Sequence, residues 1–151
     1  MPLNDELSVL PLGRGETLQE GSDLAIIAVG CTVHPALAAG RKLEAEGFGV
    51  RVINARFIKP LDAELILETA ASTHKLLTVE ENVLDGGFGS AILELLAREG
   101  MTSVTVRRLG IRDEFVEHAT QAELRSLHGL DEEGIFRAAK EMLLLNDSVK
   151  H

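Results

Sequence analysis

Residues 23–30, DLAIIAVG, form a nearly unbroken apolar run that closes on glycine. A strand wetted on one face alternates apolar and polar residues, so a continuous run reads as a parallel strand covered by helices on both sides. The next stretch has the helical period. Val33, Leu37, Gly40 and Leu43 recur on one stripe, and EGFG at 46–49 supplies the glycines that stop a helix. The pattern then repeats: a strand in VRVINA (50–55), a turn at KPLD (59–62), a helix over 62–71 and an apolar strand in KLLTVEE (75–81). Phe88, Ile92, Leu95 and Leu96 mark one face of a third helix before the strand VTVRRL (104–109). Strands that alternate with helices of this length are joined by right-handed crossovers. The fold class expected is α/β, three layers, doubly wound around a mostly parallel sheet.

The ends depart from this rhythm. Residues 1–22 are punctuated by Pro2, Pro11, Gly13, Gly15 and Gly21 and read as an incoming linker. Within it, residues 16–19 of GETLQEGSD predict a short strand, suited to an antiparallel edge. Beyond the last strand the pattern predicts a short helix near 121–127 and a longer one after Leu130. Asp131 would be the N-cap of the longer helix, with Ile135, Ala138, Ala139, Met142 and Leu143 as its buried stripe. The domain is expected to span 23–145, with 146–151 as a C-terminal tail.

Composition removes several function classes. A chain of 151 residues with 45% apolar content is the size of one domain and buries about two-thirds of its unfolded surface. Five Phe with no Trp or Tyr leave little for stacking on bases. Twenty-four acidic against 15 basic residues give a formal charge of −9, which repels phosphate backbones and anionic lipid, so neither nucleic acid nor membrane is an expected partner. The single cysteine, Cys31, excludes an internal disulfide and fits a reducing compartment, with cytoplasm the expectation. The N-terminal MPLNDELSVL lacks the pattern of a signal peptide, and no stretch approaches the ~18 apolar residues of a membrane span.

Ligands of open parallel sheets bind at the carboxyl ends of strands, and two such ends carry polar or glycine-rich loops. In VGCTVHPA (29–36), Cys31 precedes a helix N-terminus, which would favour a reactive thiolate, and His34 lies three residues on. A lone cysteine closing a buried strand is more often a small core residue, and that is the preferred reading. As a metal site the pair lacks two further ligands. In the second loop Gly86, Gly87 and Gly89 precede a helix and could offer backbone N–H groups to an anion. The spacing matches neither the dinucleotide fingerprint nor the P-loop, and Glu80 and Glu81 place negative charge beside it. The glycines therefore read as a tight turn at positive φ, with Asp85 or Ser90 contributing a cap. Arg56, Lys59, Arg107, Arg108 and Arg112 lie near strand ends and are expected to pair with the excess of carboxylates. His74 falls before a strand; His118 and His128 have no evident partner. No acid–base dyad, nucleophile triad or metal cluster emerges, so no catalytic, cofactor-binding or metal-binding residue is assigned.

VINARFIKPLD (52–62), VEENVLDGGFGSAILELL (79–96), LGIRDEFVEHATQAEL (109–124) and GLDEEGI (129–135) closely resemble the C-terminal domain of transketolase-like enzymes, over about residues 13–145. Within that family the resemblance is to the branch that decarboxylates pyruvate and joins the two-carbon unit to glyceraldehyde 3-phosphate, a transferase step feeding isoprenoid synthesis. The resemblance implies thiamine diphosphate and Mg2+ in the full-length enzyme, held by domains other than this one. It also implies a homodimer, and a third domain that packs on the others and is inactive alone. Asn82, Asp85, Gly86, Gly87, Phe88 and Gly89 would then shape an interdomain or intersubunit surface, the glycines allowing close backbone approach and Phe88, if exposed, an apolar contact. Beta subunits of pyruvate-dehydrogenase-type enzymes share a similar glycine loop but not ARFIKPLD and GLDEEGI together. They are the alternative within the family, and a stand-alone module for small anions is the alternative outside it.

Overall fold

The structure is a computed structural model that describes residues 14–56, 61–83, 87–111 and 129–149, with the side chains of 82, 83, 111 and 146–149 outside that description. Among the described residues, strands and α-helices succeed one another in this order: β1 (Glu16–Gln19), β2 (Leu24–Ala28), α1 (Val33–Ala45), β3 (Val50–Asn54), α2 (Ala63–Thr73), β4 (Lys75–Val83), α3 (Phe88–Arg98), β5 (Thr105–Ile111) and α4 (Glu132–Val149). The described strands form a five-stranded sheet in the order β1-β3-β2-β4-β5. β1 is antiparallel to β3, whereas β3, β2, β4 and β5 run parallel. This is the α/β sheet with one antiparallel edge that the sequence predicts.

The central strand explains its own composition. All five residues of β2 are buried. Side chains alternate across a strand, so Leu24, Ile26 and Ala28 face α1 and α4, while Ala25 and Ile27 face α2 and α3. Two apolar clusters result, one on each side of the sheet. On the first, α1 buries Ala36, Ala39, Gly40 and Leu43, while Val33 and Leu37 pack only partly buried at its margin. The stripe is narrower than expected because small residues carry the close approach. A Cβ on Gly40 would stand 2.5 Å from Val52 Cγ2. At the same place Gln19 Nε2 donates to the Gly40 and Val50 carbonyls, tying the edge strand to the layer above it.

Helix ends follow their local chemistry. Asp62 caps α2, its Oδ1 accepting from Leu65 N at 3.1 Å and its Oδ2 from Gly15 N at 2.9 Å. The same helix stops where His74 adopts a left-handed φ of 60°. Asp131 Oδ1 accepts from Gly134 N at 2.9 Å, and Ile135, Ala138, Ala139, Met142 and Leu143 are buried beneath it, as expected. α4 continues to Val149, so residues 146–149 extend the helix rather than forming a tail. The short helix expected near 121–127 lies outside the described residues. Among those described, no helix is long and apolar enough to cross a membrane.

Candidate functional site

Strand order reverses between β2 and β4: the chain leaves β2 toward β3 and β1 on one side, and builds β4 and β5 on the other. The crevice at the carboxyl ends of these two strands is where ligands of doubly wound sheets usually sit. Both loops singled out from the sequence arrive there, one from β2 into α1 and one from β4 into α3.

On the β2 side the buried position belongs to Thr32. Its hydroxyl lies within donating distance of the Val29 carbonyl at 2.8 Å and the Val79 carbonyl at 3.0 Å, linking the short 3-10 turn Gly30–Thr32 to β4. Cys31, read from the sequence as a small core residue, is instead exposed. The turn rotates it outward so that the hydroxyl can satisfy carbonyls that a thiol would bond poorly. His34 is exposed on the first turn of α1, and no hydrogen bond among the described residues joins it to Cys31. The pair has no nucleophile–base geometry.

On the β4 side Glu80 decides the chemistry. It is 0% exposed. Its Oε1 accepts from Phe88 N at 2.6 Å and its Oε2 from Gly89 N at 2.7 Å. The first N–H groups of a helix have no partner within the helix and attract anions. Here the chain's own carboxylate supplies that anion. The charge that argued against an anion in the glycine loop is thus what fills the position.

The glycines serve packing rather than positive φ. Gly87, the N-cap of α3, is extended at φ −90° and ψ −162°, and neither it nor Gly89 is among the residues with positive φ. A Cβ on Gly89 would lie 2.8 Å from Thr78 Oγ1 and 2.8 Å from Arg108 Cδ. Only a glycine lets the first turn of α3 press this closely on β4 and β5. Thr78 Oγ1 is buried there without a hydrogen-bond partner among the described residues. Ser90, offered as a cap, instead accepts from Arg108 Nη1 at 3.0 Å. Phe88 is 0% exposed within the α2–α3 cluster beside Ile92, Leu95 and Leu96, so its ring is core and not an apolar contact for a partner. Asn82 lies in β4 with its side chain outside the description, and Asp85 and Gly86 fall outside the described residues.

The basic residues do not converge. Arg56 pairs with Glu16 at 2.8 Å, Arg107 with Glu141 at 2.6 Å, and Arg108 turns toward Ser90. Arg56 holds a φ of 63° at the end of β3, its N–H donating to Asn54 Oδ1. Lys59, Arg112, His118 and His128 lie outside the described residues. Among those described, no group of three or more His, Cys, Asp or Glu residues could hold a metal ion. Sequence reasoning missed Glu80. The available signal was a carboxylate inside an apolar strand, followed at once by a glycine-rich helix start.

Residues 13–135 match the family described as transketolase, C-terminal domain. The chain is 58% identical over 139 residues to a 1-deoxy-D-xylulose-5-phosphate synthase of Syntrophus aciditrophicus, covering 92% of this chain and 21% of that protein. It is 56% identical over 143 residues to 1-deoxy-D-xylulose-5-phosphate synthase 1 of Geobacter sulfurreducens, covering 95% and 22%. A solved structure described as a split gene transketolase, inactive beta4 tetramer, superposes with a TM-score of 0.81 at 38% identity, over 90% of this chain and 44% of that one. The chain thus spans about a fifth of the length of these curated relatives. With its family match, its parallel sheet and its antiparallel edge, the chain belongs to the transketolase C-terminal domain family.

Proposed function

We propose that these residues are the C-terminal assembly domain of a 1-deoxy-D-xylulose-5-phosphate synthase, the transferase that condenses pyruvate with glyceraldehyde 3-phosphate with loss of CO2 for isoprenoid precursors. The full enzyme would use thiamine diphosphate and Mg2+, act as a cytoplasmic homodimer, and hold its coenzyme in the domains that make up the rest of its length. The identities of 58% and 56% favour the synthase over a pyruvate-dehydrogenase-type beta subunit.

The observation that carries the reading is Glu80. The helix N-terminus best placed to hold a diphosphate is filled by a carboxylate from the chain itself, and the described residues offer no cluster of metal ligands. The residues present do not fit the coenzyme or its metal, so no catalytic step is assigned to this domain. Its part is to shape a surface, with residues 82–89 at the sheet's carboxyl edge facing the remaining domains or a second subunit. The solved relative described as an inactive tetramer fits the expectation that such a piece is inactive alone.

Titration calorimetry tests this on the purified chain. Thiamine diphosphate with Mg2+, and separately glyceraldehyde 3-phosphate, should give no saturable heat at millimolar ligand. Saturable binding of the coenzyme would overturn the assignment. Saturable binding of the sugar phosphate would favour a stand-alone module for small anions.

A further inference from the structure

We propose that Glu80 is a positioning residue for docking: its carboxylate clips the start of α3 to β4, and so sets the path of residues 81–87 where the remaining domains bind. The proposal rests on the assembly reading above and adds to it the group that fixes the surface.

The geometry differs from an ordinary helix cap. A cap is normally supplied by the N-cap residue itself, but that residue here is Gly87, which has no side chain to offer. The acceptor comes instead from the preceding strand, eight residues before Phe88 and nine before Gly89. One carboxylate therefore spans the whole connection and joins its two ends. Both ends are fixed independently. At the leading end β4 keeps pairing with β5 as far as Val83 with Ile111, after a register irregularity beyond Val79. Irregularities of this kind re-aim side chains next to functional loops, and Glu80 lies within this one. At the trailing end three successive residues are held: Phe88 is buried, Gly89 is pressed on Thr78 and Arg108, and Ser90 accepts from Arg108. Between these anchors lies the connection at the point where strand order reverses. A group that only stabilised α3 would not need to reach back across that connection; one that positions it would.

The test separates positioning from simple capping. Hydrogen exchange at Phe88 and Gly89, and affinity for the remainder of the synthase supplied as a second polypeptide, are measured for the wild-type chain, E80Q, E80D and E80A. Glutamine keeps the size but leaves one N–H facing an amide nitrogen, and aspartate keeps the charge but is too short to reach. Hydrogen bonds to charged groups imply roughly tenfold to a hundredfold faster exchange at both amides in E80Q. Affinity for the second polypeptide should fall by about tenfold or more, while unfolding stays cooperative. In E80A, added formate should refill the position and restore both. Should E80Q not fold, E80A refolded in formate answers the same question, and a folded E80A that formate leaves unable to associate overturns the proposal. E80Q associating with wild-type affinity despite faster exchange would reduce Glu80 to a helix cap and also overturn it. Failure of the wild-type chain itself to associate would instead overturn the assembly reading beneath it.

Discussion

Substituting Gly89 by alanine tests the close approach of α3 to the sheet, because two effects of opposite sign compete there. Alanine is the better helix former by up to about 1 kcal/mol in a helix interior, and by less in a first turn. Against this, the new Cβ would stand 2.8 Å from Thr78 Oγ1 and 2.8 and 2.9 Å from Arg108 Cδ and Cγ. Thr78 belongs to β4, a strand paired on both sides, and cannot retreat. Arg108 is tethered through its guanidinium to Ser90. Overpacking of this kind costs roughly 1–3 kcal/mol. The net expectation is a destabilisation of about 1–2 kcal/mol, or on the order of 2–8 °C in Tm for a domain of this size. Denaturant unfolding followed by circular dichroism measures it directly. A double-mutant cycle with Thr78→Ala sharpens it: removing the hydroxyl relieves the contact, so the pair should couple favourably by about 1 kcal/mol. If Gly89→Ala were neutral or stabilising, propensity alone would govern this turn, and the account of the glycine loop would be wrong.

Other consequences are simpler to read. Leu95→Ala should cost about 2–5 kcal/mol, since Leu95 is 3% exposed in the α2–α3 cluster, whereas Glu94→Ala on the outer face should stay within about 0.5 kcal/mol; equal losses in denaturant unfolding would refute the face assignment. Asp62→Ala should cost roughly 1–2 kcal/mol by freeing the amides of Leu65 and Gly15, and Asp62→Asn should recover most of it. Cys31 should react with a thiol reagent in the folded state, and Cys31→Ala should shift stability by no more than about 0.5 kcal/mol; a thiol protected until unfolding would contradict its exposure.

Much of the architecture is legible in the order of residues, for physical reasons that stay local. The run LAIIA can be unbroken only if both faces of its strand are dry, and both are. Glu16 to Gln19, between glycines and outside the βα rhythm, pair antiparallel at the edge. Asp131 and the stripe from Ile135 to Leu143 follow from capping chemistry and the 3.6 period alone. What escaped depends on partners distant in sequence. Cys31 and Thr32 are adjacent and both small, and which one turns inward depends on the Val79 carbonyl, delivered by a strand far along the chain. Glu80 looked like a surface charge beside a loop, because nothing in a linear string says that its oxygens meet two amides across the turn. Strand order was equally hidden, since alternation fixes the hand of each crossover but not the side to which it runs.

The central claim is that this domain supplies assembly and not the coenzyme site, and complementation tests it most directly. Synthase activity is measured with pyruvate, glyceraldehyde 3-phosphate, thiamine diphosphate and Mg2+, for the 151-residue chain, for the remaining domains as a separate polypeptide, and for the two mixed. The account predicts turnover in the mixture and none from the chain alone. Turnover by the chain alone, or remaining domains that work equally well without it, would contradict the account.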